Sequence, residues 1–278
     1  MKQSLQLAWR VAVPAIATIA AALTLPPSVA QADDGENCTV NGEPAKGPED
    51  VIGTDGPDTI VCENLKYRKI DAKGGNDSIT IKDELVIMPA GEQTGIHGGN
   101  GTDTIKVKSM LSFSTAEPAE DPFISGGDDS DRIHVDSIRE GTVGGDDGDD
   151  EITIARASRF RVVERAPQVY GHSGSDTIRV DKSTAVGMLV SGGTGSDDIT
   201  VEDMSSGDRI QGDEGNDSFK ADIVSFGGRI DGGSGDDHIH GFSFGKVIVV
   251  PQGVVDGNEG SDTCETLHLG GEIHSCEK

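Results

Sequence analysis

The chain has 278 residues, 39 of them glycine, and only 4% are aromatic. Its 23 Lys and Arg face 49 Asp and Glu, a formal net charge of −26. Such acidity argues against nucleic acid or an anionic membrane surface as partner. It also excludes an ordinary folded domain unless cations neutralise the chain or its apolar residues are placed very regularly.

Residues 1–32 read as a secretory signal peptide. Lys2 and Arg10 lie in a polar start, residues 11–25 are apolar but short for a membrane span, and Ala30-Gln31-Ala32 is a small-residue cleavage site. Cleavage is expected after Ala32, with no membrane span left behind. It would remove Trp9, the only tryptophan, and leave 21 basic residues against 49 acidic ones, net −28. Export permits disulfides. Cys38, Cys62, Cys264 and Cys276 allow three pairings. Two lie near each end of the chain, so Cys38–Cys62 and Cys264–Cys276 are the natural choices. Each would staple one end for about 3 kcal/mol.

Residues 33–52, with Asn41-Gly42, read as an N-terminal cap. Residues 53–265 then repeat. Ten segments align on G-G-x-G-x-D-x-U-x, where U is large and apolar. They open at Gly53, Ala72, Gly98, Gly126, Gly145, Gly171, Gly192, Gly212, Gly232 and Gly257, at intervals of 19, 26, 28, 19, 26, 21, 20, 20 and 25 residues. The stretch from Gly192 to His240 is the most regular, with its turns twenty residues apart. Residues 266–278 read as a C-terminal cap.

The columns between the turns give the fold class. Two residues before every turn stands a β-branched residue: Val51, Ile70, Ile96, Ile124, Val143, Val169, Val190, Ile210, Ile230 and Val255. The eighth position holds Ile60, Ile79, Ile105, Ile133, Ile152, Ile178, Ile199, Phe219, Ile239 and Cys264, and the tenth is usually apolar. The seventh and ninth are polar, as in Thr104 with Lys106 and Thr177 with Arg179. Alternation of period two in β-branched residues marks half-buried strands. The expected fold is all-β: a parallel β-solenoid of about ten coils near 20 residues each, roughly 45 Å long at about 4.8 Å per coil. The longer coils are expected to carry extra strand at residues 85–88 and 247–250 and a loop at Pro118 to Pro122.

The sixth position is Asp in all ten turns: Asp58, Asp77, Asp103, Asp131, Asp150, Asp176, Asp197, Asp217, Asp237 and Asp262. A plain turn would accept Asn or Ser there too. A file of like charges at about 4.8 Å also repels itself without cations between. Glycine fills nine of ten first and nine of ten fourth positions, where left-handed backbone would let carbonyls point inward. Calcium takes six to eight such hard oxygens. The candidate turn backbone is that of Gly56, Gly75, Gly98, Gly101, Gly126, Gly148, Gly171, Gly174, Gly192, Gly195, Gly212, Gly215, Gly232, Gly235, Gly257 and Gly260.

The nonapeptide, best seen at residues 98–106 (GGNGTDTIK), resembles the calcium-binding repeat of the repeats-in-toxin, or hemolysin-type, proteins. The resemblance covers nearly the whole of residues 53–265 and implies a β-roll with Ca²⁺ held in its turns. Two features depart from that family. Its members commonly run nonapeptides in tandem, whereas here one motif occurs per coil, so a single file of at most about nine ions is expected. Family toxins usually leave the cell through a C-terminal signal, whereas this chain carries a leader.

Other motifs are weaker. Residues 241–245 match G-x-S-x-G, but no helical pattern follows as a hydrolase elbow requires. His238 and His240 point the same way from one strand without an evident third ligand. The expected function is that of a secreted calcium-binding module rather than an enzyme. The alternatives are an adhesin or cell-wall or matrix component binding an extracellular polymer, and a carbohydrate-active enzyme using the solenoid surface.

Overall fold

A computed structural model describes residues 37–45, 50–66, 68–87, 94–112, 123–159, 165–224, 226–242 and 245–277. Outside them lie the expected signal peptide, part of the expected N-terminal cap (33–36 and 46–49), Met88, and the expected loop at Pro118 to Pro122. Of two compact units, Met1–Asp34 and Gly35–Lys278, the second holds all the described residues.

This unit is an all-β parallel solenoid. No helix occurs among the described residues. Each coil runs up one sheet, turns at the glycine motif and runs down another. The strands entering the turns form an eleven-stranded sheet, and those leaving them belong to a fifteen-stranded sheet. In the seventh coil, Leu189–Thr194 leads into the turn and Asp198–Val201 leaves it.

The strands stack in register because the apolar columns are the same in every coil. Val190 pairs with Ile210, Ile210 with Ile230, and Ile230 with Val255. On the other sheet Ile199 pairs with Phe219, Phe219 with Ile239, and Ile239 with Cys264. All ten residues two before a turn are buried, as are nine of the ten at the eighth position; Cys264 is half-buried. Where Phe219 replaces isoleucine, the same strand carries the small Ala221 at its tenth position, and both are fully buried. A larger ring offset by a smaller neighbour keeps the core volume nearly constant.

The longer coils insert strand on the return side. Leu85 and Val86, in the strand Ser78–Ile87, pair with Leu65 and Lys66 on one side and Met110 and Leu111 on the other, after a register shift between Ile81 and Glu84. Val247–Val249 is the middle strand of a three-stranded sheet between Ile223–Val224 and Thr266–His268. The outer face of the fifteen-stranded sheet is polar, with exposed ion pairs such as Lys82–Glu63 and Arg132–Glu151, pairs of a kind that contributes little to stability.

Each end carries a disulfide. Cys38–Val40 folds back antiparallel on Thr59–Cys62, covering the first edge of the large sheet, and Cys38 is bonded to Cys62. Cys264 is bonded to Cys276 at the other end. A covered edge cannot template pairing with another chain. If the stacked columns carry the stability, Ile178→Ala, fully buried between Ile152 and Ile199, is expected to cost about 2–5 kcal/mol. Thr200→Ala on the outer face should stay within about 0.5 kcal/mol. Urea unfolding midpoints in one fixed buffer check both.

Candidate metal centre

The ten sixth-position aspartates form one file. All are buried, none more than 3% exposed. Nine consecutive hydrogen bonds of 2.7–2.9 Å link them: the backbone N–H of each aspartate donates to Oδ1 of the aspartate one coil on, from Asp58 N to Asp77 through to Asp237 N to Asp262. The aspartate carbonyl accepts the seventh-position N–H of the next coil, as when Thr104 N–H bonds to Asp77 O at 2.8 Å. Backbone N–H, backbone carbonyl and Oδ1 are therefore all used within the stack. The Oδ1 contact is the role expected of a turn-forming aspartate.

Oδ2 is the remainder. It is buried without a hydrogen-bond partner in Asp77, Asp103, Asp131, Asp150, Asp176, Asp197, Asp217, Asp237 and Asp262. In the eight turns from Gly98 to Gly257, Oδ2 lies beside the first-position glycine of its own coil, in the space a side chain would fill. In seven of these eight a backbone carbonyl oxygen of the following coil points into the same space; for Gly192 it is the carbonyl of Gly212. Two acceptors thus face one another with no donor between them. Buried oxygens so placed call for a cation or a proton.

The glycines divide their labour differently from the expectation. Positive φ occurs at the second and fourth positions, not at the first. At the fourth, Gly174, Gly195 and Gly215 have φ of 131°, 129° and 141°, and Asp129 takes 75° in the one turn without glycine there. At the second, Asp146, His172 and Asp213 sit at φ of 77°, 78° and 75°. In the eight turns from Gly98 to Gly257 the first-position glycine is required by space instead: a Cβ would overlap the aspartate carboxylate and, in seven of them, the next coil's carbonyl.

The two N-terminal turns differ. Asp58 Oδ2 accepts hydrogen bonds from Thr54 N–H at 2.5 Å and the Thr54 hydroxyl at 3.0 Å. Its Oδ1 accepts from the Asn41 side-chain amide at 2.5 Å, while Asn41 Oδ1 takes the Thr59 N–H at 2.8 Å. Asn41 thereby stands in for the coil that is missing before the first. In the second turn, the buried Ala72 puts a methyl group where the later turns keep glycine. The sequence marked Asn41-Gly42 only as part of a cap; its ladder role depends on the antiparallel return of residues 38–44.

Burial sets the electrostatics. Desolvation, reinforced by neighbouring aspartates, pushes Asp131 up to about 8 and Asp176 and Asp217 up to about 7. It pushes Asp103, Asp150 and Asp237 up to about 6, and raises Asp77 and Asp197 as well. In each, the backbone N–H bonded to Oδ1 acts in the opposite direction. Asp58 goes the other way: burial raises it, but its bonds from Thr54 and Asn41 outweigh burial and hold it below its ordinary value.

No protein-family model, curated protein or solved structure matches this chain. The site is therefore judged on its own chemistry. Among the described residues no three His, Cys, Asp or Glu side chains gather into a metal-holding group. A cation in the file would draw mainly on turn carbonyls, with the carboxylates as its charged ligands. That donor set is all hard oxygen and suits Ca²⁺.

Other candidates separate from the file. Asp208 is equally buried, but accepts from the backbone of Gly187, Met188 and Ser205, so it tethers two return loops. His238 and His240 stack with ring centroids 4.8 Å apart on the outer face. Ser243 and Phe244 of the G-x-S-x-G segment lie outside the described residues.

The raised carboxylates give the cation-free protein a signed pH dependence. A folded-state value above the unfolded value means that the folded state holds more protons, so stability falls as pH rises between the two. In chelator, thermal stability is expected to fall progressively from about pH 4 to pH 8, the window between an ordinary aspartate and Asp131. Differential scanning fluorimetry across that range checks it. A flat profile would mean that the file does not titrate in the fold.

Proposed function

We propose that this protein is a calcium-binding solenoid in which Ca²⁺ lies in the turns and completes the fold. The reading is carried by one observation: a file of buried, unpartnered carboxylate oxygens facing backbone carbonyls across the coil-to-coil gap. The residues that would hold the ions are Asp103, Asp131, Asp150, Asp176, Asp197, Asp217 and Asp237, with turn carbonyls of their own and the following coil. Each ion supplies the charge that lets neighbouring carboxylates stay ionised side by side at neutral pH. The turn at Asp58 is already satisfied by Thr54 and Asn41, and the turn at Asp77 is crowded by Ala72.

The leader read in residues 1–32 and the two disulfides support an extracellular setting, where such bonds persist. There calcium modules commonly bind at about 10⁻⁴–10⁻³ M. Folding would then be coupled to arrival in a calcium-rich compartment, because a site absent from the unfolded chain returns its binding energy as folding energy. The similarity to hemolysin-type repeats supports the same ion. The role that follows is a rigid, secreted structural or binding module.

Circular dichroism and calorimetry at pH 8 test the reading. Ca²⁺ is expected to raise the β-sheet signal and the melting temperature, EGTA to reverse both, and Mg²⁺ at equal concentration to do much less. Asp197→Asn keeps the hydrogen bond to Asp176 but removes the charge, and should weaken Ca²⁺ binding about tenfold or more at the central sites. Spectra and melting unchanged by EGTA, with no heat of binding, would sink the reading.

A further inference from the structure

The C-terminal segment is built differently from a plain cap. The strand Glu272–His274 adds in parallel to Val254–Glu259, with Ile273 opposite Val255 and His274 opposite Asp256. Ile273 therefore continues the column of residues that stand two before each turn. Ser275 falls where an eleventh turn would have its first glycine, but unlike those glycines it has a positive φ, 48°. The Ser275 carbonyl points into the space before Gly257, as the Gly257 carbonyl does before Gly232 and the Gly232 carbonyl before Gly212.

The chain then crosses between the sheets in one residue. Glu277 N–H bonds to the Asp262 carbonyl at 2.6 Å and Glu277 bridges to Thr263 in parallel. That is the contact a seventh-position residue makes in every coil from the second to the tenth. Cys276, alone between Ser275 and Glu277, replaces the five residues of an ordinary turn. Its disulfide to Cys264, two residues after Asp262, holds the shortcut shut. Asp262 is 0% exposed, gives Oδ1 to the Asp237 N–H at 2.9 Å, and leaves Oδ2 buried and unpartnered, facing the Ser275 carbonyl.

We propose that residues 272–277 form an eleventh half-coil that completes one further divalent-cation site on Asp262, and that the Cys264–Cys276 bond holds that site closed. The proposal rests on the calcium reading of the file. It adds a site after the tenth turn and gives the C-terminal disulfide a function in ion binding. The Cys38–Cys62 bond has no such part, because Asp58 beside it is already satisfied. Without the Cys264–Cys276 bond, the Ser275 carbonyl is held only by a short, largely exposed strand and the Glu277 hydrogen bond.

Calcium stoichiometry of the full chain by titration calorimetry, with Ca²⁺ alone as probe, tests the proposal. Circular dichroism is run alongside to confirm that each variant folds. Asp262→Asn is expected to bind one ion fewer than the unsubstituted protein. Cys264→Ala/Cys276→Ala is expected to lose the same ion, or bind it about tenfold or more weakly. Adding Asp262→Asn to that pair should remove nothing more, and Cys38→Ala/Cys62→Ala should keep the full count. If the unsubstituted protein binds Ca²⁺ and Asp262→Asn binds just as many ions, the end site does not exist. If the Cys264→Ala/Cys276→Ala protein keeps both count and affinity, the disulfide does not hold the site. If the unsubstituted protein binds no Ca²⁺, the calcium reading itself falls, and this proposal with it.

Discussion

Every coil depends on the same hydrogen bond, from an aspartate N–H to the carboxylate of the next aspartate along the axis. That bond does two things. It fixes the turns at the spacing of the stacked strands, and from Asp103 to Asp262 it orients each carboxylate so that its second oxygen lies in the gap beside a glycine. A hydrogen bond to a charged acceptor stabilises by roughly 1.5–3 kcal/mol, while an unpaired buried carboxylate oxygen costs at least as much. The ladder on its own therefore comes out near balance. Its worth to the fold turns on what sits opposite the second oxygen.

The three sheets answer a different demand. The mean aromatic content is low and the coils are narrow, so the interior is filled by one or two β-branched residues per strand, repeated. Repetition supplies the packing: at the eighth position isoleucine rests on isoleucine through coil after coil, and only Phe219, with Ala221 beside it, and Cys264 in the last coil break the series. This interior has few ways to compensate for a lost contact inside a coil, because each coil touches chiefly its two neighbours.

Much of this is legible in the sequence because the same column is written ten times. The buried columns, the polar outer positions, the parallel stacking and both disulfides follow from residues that recur or from cysteines placed at the ends. The long coils at Leu85 and Val247 were also readable as added strand. What was not legible occurs once. Thr54 filling the first carboxylate, Asn41 replacing a preceding coil and Ser275 replacing a following one have no column to announce them. The division between glycines needed for positive φ and glycines needed for clearance was hidden for another reason. Both read as G in the motif, and only the second positions held by Lys73, Asp146, His172, Asp213 and Asn258, with positive φ and no glycine, separate them.

The interchangeability of the central coils has a consequence for length. Residues 192–211 begin and end at equivalent points of the stack, because Val190 and Ile210 occupy one column and Gly192 and Gly212 the same turn position. Cutting out those twenty residues, or copying them, would rejoin the strands and turns in phase, although cutting would also remove Asp208 and its tether of the return loops. The two ends allow no such exchange, since each is made of residues that appear nowhere else. The number of central coils is thus not fixed by the contacts within any one of them.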